Sequence, residues 1–160
     1  MNGNFEEATK LCMKYPDVPV IQSQYITILI KRRSFGLALS VGNKFKDNYY
    51  IQGQLIKCYC SLKEFDKATS IVEENLKNDS ALRSLLSGYR NELNVCRRRI
   101  KGKLKGKDGK DYKVIYDRST DLIASLKTCY KKPYSEIKNI LPSIKDLIVE
   151  FYKKEKEDSR

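Results

Sequence analysis

Hydrophobic and polar positions repeat every thirty residues through the first half of the chain. The pattern Phe-x-x-Ala recurs at Phe5, Phe35 and Phe65. Apolar columns keep the same spacing around it: Leu11, Val41 and Ile71; Ile21, Ile51 and Ala81; Tyr25, Leu55 and Leu85; Ile26, Ile56 and Leu86; Leu29, Tyr59 and Tyr89. A sustained internal period of this length is typical of proteins built from stacked supersecondary units.

Each repeat contains two helical patterns. The first places apolar residues at i, i+4, i+5 and i+8, one face of a helix: Ile51, Leu55, Ile56 and Tyr59. After a break at residues 61–64, a second face follows: Phe65, Ala68, Ile71, Val72 and Leu76. The segment Asn78-Asp79-Ser80 predicts a turn and an N-cap before the next helix, and Pro16 and Pro19 separate the first helix from the second. Val95 is the first apolar residue of a degenerate further unit. The patterns predict antiparallel helix pairs packed side by side.

The arrangement of these residues resembles a tetratricopeptide repeat. The matching positions are Gln52, Leu55, Ile56 and Tyr59, followed by Phe65, Asp66 and Ala68. That family places a Leu, a small residue and a Tyr on its first helix, then an aromatic residue before an Ala on its second. This chain departs from the family because Ile26 and Ile56 occupy the small position, Trp is absent and the period is thirty residues. Short helical-hairpin solenoids of the clathrin or vesicle-coat type have a similar spacing, so both kinds of family stay open.

The resemblance implies an all-α fold, a right-handed α-solenoid of tetratricopeptide-like hairpins with C-terminal capping helices. We expect helical repeats over residues 1–96, a basic Gly/Lys-rich linker over 97–113, a helical cap over 114–155 and a tail over 156–160. Amphipathic spacing after the linker predicts helices around Leu122–Tyr130 and Ile144–Tyr152. The first repeat begins at its second helix, so either the chain is a fragment of a longer solenoid or its own C-terminal region or a partner fills the first groove.

Related solenoids hold partner peptides against first-helix residues of their concave side. By this resemblance, the candidate partner-binding residues are the polar positions between the packing columns: Gln22, Gln24, Gln52, Gln54, Lys57 and Arg83. Two Gln positions recur in successive repeats. The recurrence has two interpretations, which are an ancestral repeat still visible in the sequence and a polar ladder for an extended backbone.

Charge is concentrated in the second half of the chain. The 160 residues carry a net charge of +12, yet residues 1–80 hold 11 Lys and Arg against 9 Asp and Glu. A basic run with three Gly begins near residue 97: Arg97, Arg98, Arg99, Lys101, Lys103, Lys105, Lys107 and Lys110. Three interpretations compete: a solvated linker, a surface for RNA, DNA or an acidic partner, and a nuclear-import signal. In the second, Tyr112 and Tyr116 would stack on bases.

Little in the composition points to a reaction. The chain has no His, and no paired carboxylates or nucleophile with an adjacent base stand out. The segment Gly102–Asp108 is one residue short of a phosphate-binding loop and lacks its Ser or Thr. Five Cys without a Cys-x-x-Cys pair are expected to be small buried thiols, and no metal, cofactor or membrane span is expected.

These observations favour a non-catalytic protein–protein interaction adaptor or assembly subunit. Its partner would be another protein or peptide, bound in the groove of the solenoid. The alternative is a nucleic-acid-associated protein that uses the basic run at 97–113. The odd number of Cys and the absence of a secretory signal favour the cytoplasm, with the nucleus as the alternative.

Overall fold

The computed structural model describes residues 2–159, and this part of the chain is all-helical. Helix accounts for 80% of it, no strand occurs within it, and it contains nine α-helices, which confirms the predicted all-α class. The helices are α1 (Asn2–Lys14), α2 (Pro19–Lys31), α3 (Phe35–Gly42), α4 (Tyr49–Ser61), α5 (Phe65–Glu74), α6 (Asp79–Lys101), α7 (Gly109–Cys129), α8 (Tyr134–Ile137) and α9 (Leu141–Asp158). The chain divides into two compact units, one ending at Leu85 and the other beginning at Leu86.

The thirty-residue period is present in the backbone of the first unit. Helices α2 and α4 are both 13 residues long, and they begin at Pro19 and Tyr49. Both end in the same way, with a residue in the left-handed region at Arg33 (φ 60°) and Lys63 (φ 61°). The N–H three residues beyond each helix then donates back into it, from Ser34 to Leu29 O at 2.9 Å and from Glu64 to Tyr59 O at 2.8 Å. This Schellman motif satisfies carbonyls that a helix end would otherwise leave unpaired.

Asn side chains cap two successive first helices. Asn48 Oδ1 accepts hydrogen bonds from the N–H groups of Tyr50 and Ile51, at 3.0 and 3.2 Å. Thirty residues later, Asn78 Oδ1 accepts from the Ala81 N–H at 3.0 Å. The cap predicted at Asn78 is therefore confirmed, and both caps satisfy donors that the first helical turn leaves free.

The apolar columns form the core of the first unit. Consecutive helices pack against each other from α1 to α5, and α2 also packs against α4. Ala38 and Ala68 are fully buried, as are the side chains of Leu55 and Ile56. Their predicted role in packing is confirmed, and the small side chains of Ala38 and Ala68 let neighbouring helices approach closely.

Helix α6 does not break where the repeat predicts a break. The sequence places the start of a second helix at Val95, but α6 continues from Asp79 to Lys101. Leu93 occupies the repeat position of the left-handed Arg33 and Lys63, and it is fully buried. Left-handed backbone costs an ordinary residue about 1–2 kcal/mol, and a turn here would also expose the Leu93 side chain. Burial of Leu93 therefore favours a continuous helix, and the expected further hairpin is absent from residues 79–101.

The second unit contains less loop than the sequence predicts. The linker expected at 97–113 is helical at both ends, and only residues 102–108 lie between α6 and α7. Buried Ile100 holds the end of α6, and buried Tyr112 and Ile115 hold the start of α7. The tail expected at 156–160 is likewise helical as far as Asp158, the last residue of α9. The predicted repeat boundary at 96 also differs from the observed division after Leu85.

Four of the five thiols are buried, as the sequence predicts. Cys58, Cys60, Cys96 and Cys129 are buried, Cys12 is half-buried, and none of the five is joined in a disulfide bond. None of the helices within residues 2–159 has the length and apolar character that are needed to cross a bilayer.

Candidate functional site

A groove of about 520 Å³ runs along α6 in the second unit. Its lining residues lie at helical spacing on one face of α6: Asn91, Asn94, Val95, Arg97, Arg98 and Lys101. Three of them carry positive charge, two carry side-chain amides, and none is a carboxylate. This combination of donors suits an anionic ligand.

Arg97, one of the lining residues, is held in place by Tyr116 of α7. Its Nη2 donates a hydrogen bond to the Tyr116 hydroxyl at 3.0 Å, and the guanidinium carbon lies 4.8 Å from the ring centroid. The Nε of Arg97 is buried and makes no hydrogen bond within the described chain. A buried donor without a partner costs free energy, so the contacts with Tyr116 hold Arg97 in place against this cost.

Two other residues of the basic run, Arg99 and Lys103, contact α9 instead of lining the groove. Arg99 forms an ion pair with Glu155, and Lys103 Nζ lies 3.2 Å from the other oxygen of the same carboxylate. Tyr112 is buried beside them and donates its hydroxyl to Asp158. Burial, followed by the hydrogen bond to Asp158, raises the pKa of Tyr112 far above its ordinary value, so the phenol stays protonated.

These contacts correct part of the predicted nucleic-acid surface. Arg99 and Lys103 share the single carboxylate of Glu155, and buried Tyr112 has no free ring face for a base. The cations that stay exposed have no carboxylate partner among residues 2–159: Arg98, Lys101, Lys105, Lys107 and Lys110. The predicted set of eight basic residues therefore separates into contacts that hold the unit together and cations that are free to bind.

Two of the predicted partner-binding residues in the first unit lie inside the fold. Gln22 and Gln52 are each only 3% exposed. The Gln22 amide donates to the carbonyls of Cys12 and Tyr15, at 3.1 and 3.0 Å. Gln52 donates to Lys46 O and Asn75 Oδ1, both at 3.0 Å. The prediction that Gln22 and Gln52 contact a partner is wrong, because their amides satisfy polar groups at the hairpin turns.

The other four predicted positions are accessible to a partner. Gln24, Lys57 and Arg83 are exposed, and Gln54 is half-buried. Gln24 lies on α2, Gln54 and Lys57 lie on α4, and Arg83 lies in the first turns of α6. At least one predicted partner-binding residue is therefore accessible on each first helix of the unit.

The sequence pattern alone did not indicate Asn91 and Asn94 as site residues. The signal for them was their spacing, since Asn91, Asn94, Arg98 and Lys101 follow one another at i, i+3, i+7 and i+10 on a helix. It was missed because the repeat placed a helix end before Val95, which would separate the amides from the cations.

Across the part of the chain that the structure describes, no group of three or more His, Cys, Asp or Glu side chains is placed to hold a metal ion. Comparison of the chain with protein-family models, with curated proteins and with solved structures finds no match.

Proposed function

We propose that the first unit is a segment of a right-handed, tetratricopeptide-like α-solenoid that binds a partner protein without catalysing a reaction. The observation that carries the proposal is the set of hydrogen bonds by which Gln54 joins two successive first helices. Its Nε2 donates to Ser23 O at 2.9 Å and to Thr27 Oγ1 at 2.8 Å, and Ser23 Oγ donates to Gln54 Oε1 at 3.1 Å. Helices α2 and α4 therefore lie side by side with polar residues on a shared face.

The shared face offers a partner both apolar and polar contacts. Val20 on α2 and Tyr50 on α4 occupy the same repeat position, and they are 68% and 74% exposed. Gln24 and Lys57 follow at i+4 and i+7 of the same helical stripes. Exposed Tyr residues on rigid elements are frequent anchors of protein interfaces, and flanking polar groups set orientation. The proposed ligand is an extended peptide that packs an apolar side chain against Tyr50 and pairs an acidic group with Lys57.

A displayed random-peptide library selected against the whole protein tests this proposal. Peptides recovered from it are then measured by fluorescence anisotropy against Tyr50→Ala and Lys57→Ala. We expect each variant to weaken binding at least fivefold while the melting temperature stays the same, because both side chains are exposed.

The matched controls are Leu37→Ala on α3 and Lys67→Ala on α5, both exposed residues of second helices. They should leave affinity unchanged. A peptide whose binding depends on Leu37 or Lys67 and ignores Tyr50 would contradict the proposed surface. Failure to recover any peptide against the folded protein would contradict the proposed function.

A further inference from the structure

The face of α6 that lines the basic groove is separated from the face that holds α9. Arg98 and Arg99 are neighbours in sequence, but successive residues of a helix point about 100° apart. Arg99 pairs with Glu155, whereas Arg98 lies in a groove that contains no carboxylate. The fold thus pairs Arg99 with a carboxylate and leaves the positive charge of Arg98 without one.

We propose that this groove binds single-stranded RNA. Arg98 and Lys101 contact backbone phosphates, and the exposed lysines of the 102–108 turn extend the contact. The proposal goes beyond the peptide-binding function of the first unit and rests on different residues of the second unit.

The groove has the length for several nucleotides of one strand. Asn91 and Lys101 are ten positions apart, which corresponds to about 15 Å along the helix axis. In a duplex the phosphates of one strand advance about 3.4 Å each along the helix axis, and in an extended strand they are spread further apart. Two to four phosphates therefore fit beside the cations of α6, with Lys105 and Lys107 beyond its end.

Arg97, which lines the groove, supplies a planar guanidinium that Tyr116 holds in place. Bases of single-stranded RNA stack on aromatic rings and on Arg guanidinium planes. The hydrogen bond and the ring contact with Tyr116 orient the guanidinium of Arg97. Asn91 and Asn94 provide amides that both donate and accept hydrogen bonds, as does the ribose 2′-hydroxyl, which distinguishes RNA from DNA.

An acidic protein would engage the same cations, but the groove does not offer the kind of surface that a specific protein interface requires. Specific protein interfaces have an apolar, desolvated core. Among the lining residues only Val95 is hydrophobic, and it is half-buried. Nucleic-acid interfaces are polar and strongly positive, which matches this groove.

The test uses the full chain and a fluorescently labelled 12-nucleotide RNA of mixed sequence. Anisotropy is measured across a salt series, beside a DNA strand of the same sequence, its duplex and a poly-glutamate peptide of equal charge. We expect the RNA to bind tightest, and log K to fall linearly with log salt. Equal or tighter binding of poly-glutamate would overturn the RNA assignment in favour of an acidic partner, and tighter binding of duplex DNA would assign the groove to DNA.

The decisive variant is Arg98→Ala with Lys101→Ala. It should weaken RNA binding at least tenfold and make the salt slope shallower by about 1.4, since each single-strand phosphate contact contributes about 0.7. The matched control is Lys131→Ala with Lys132→Ala, which removes two exposed positive charges from the same unit away from α6. If the control loses as much affinity as the groove variant, binding follows net charge alone and the site is wrong.

Two further substitutions separate charge from geometry. Arg97→Lys keeps the charge but removes the guanidinium plane, so affinity should fall while the salt slope stays the same. Asn91→Ala with Asn94→Ala should reduce the preference for RNA over DNA.

Photo-cross-linking of the wild-type protein to 4-thiouridine RNA gives a measurement that needs no variant. Adducts should map to residues 91–101 and Tyr116, and adducts confined to other helices would overturn the proposal.

Discussion

Asn78 and Gln52, both buried, are joined by a hydrogen bond of 2.7 Å from the Asn78 amide to Gln52 Oε1. The same Asn78 amide donates to Tyr49 O at 3.0 Å, while its oxygen caps α6. Gln52 in turn donates to Asn75 and to the chain before α4. One pair of amides therefore connects the start of α4, the end of α5 and the start of α6, and it fixes the register between successive repeats.

Removal of the Asn78 side chain should destabilise the protein. Asn78→Ala deletes an N-cap and leaves Gln52 Oε1 without its buried donor, so the free energy of unfolding should fall by about 2–3 kcal/mol. Asn78→Asp keeps an oxygen for the cap but loses the donated bonds, and its loss should be comparable or larger because a buried carboxylate would face two acceptors. Urea titration followed by circular dichroism measures both. Lys77→Ala, at an exposed neighbour, should change stability by less than about 0.5 kcal/mol.

Two glycines of α3 should respond in opposite directions to the same substitution. A Cβ at Gly42 would lie 2.7 Å from Leu55 Cδ2, and Leu55 is buried in the core. Gly42→Ala should therefore cost about 1–3 kcal/mol through overpacking. Gly36 has nothing within 4 Å of an added Cβ, so Gly36→Ala should stabilise by up to about 1 kcal/mol. Thermal unfolding of both variants checks the pair, and equal effects would contradict the close approach of α3 to α4.

The left-handed residues that end α2 and α4 should prefer glycine. Arg33→Gly and Lys63→Gly should each raise the free energy of unfolding by about 0.5–1 kcal/mol, because glycine adopts a positive φ without the penalty of a side chain. Lys57→Gly is the control, since Lys57 is exposed inside α4 and should lose about 1 kcal/mol in helix propensity. Destabilisation at Arg33 and Lys63 would show that the Schellman geometry is not present in solution.

Ionisation of Cys58 should weaken the fold at alkaline pH. Burial raises the pKa of this thiol from 9.0 to about 11. Above pH 9 the unfolded chain loses the proton while the folded chain keeps it, so stability is complete below pH 9 and is lost as the pH rises to 11. The loss should reach the order of 2 kcal/mol. Cys58→Ala should show a shallower decline of unfolding free energy between pH 9 and 11, and parallel curves through that interval would contradict the assignment.

Local features of the first unit could be predicted from the sequence alone. The cap at Asn78, the buried Ala38 and Ala68 and the paired helices all follow from residues close together in the chain, where helix periodicity and capping act. The conformation at Arg33 and Lys63 was not predicted, because neither is a glycine and the left-handed turn is selected by the packing of the helices on either side.

Tertiary structure decided which polar residues are available to a ligand. Gln22 and Gln52 are polar positions of an amphipathic pattern, yet the hairpin turns enclose their amides. Arg98 and Arg99 are adjacent residues of the same type, so the sequence alone does not distinguish them. Arg99 forms an ion pair with Glu155, which is 56 residues further along the chain, whereas Arg98 lines the groove. Periodicity assigns a residue to a face of its helix, but its partners come from distant parts of the chain. Burial and charge balance depend on those partners, and so they are fixed only when the helices pack.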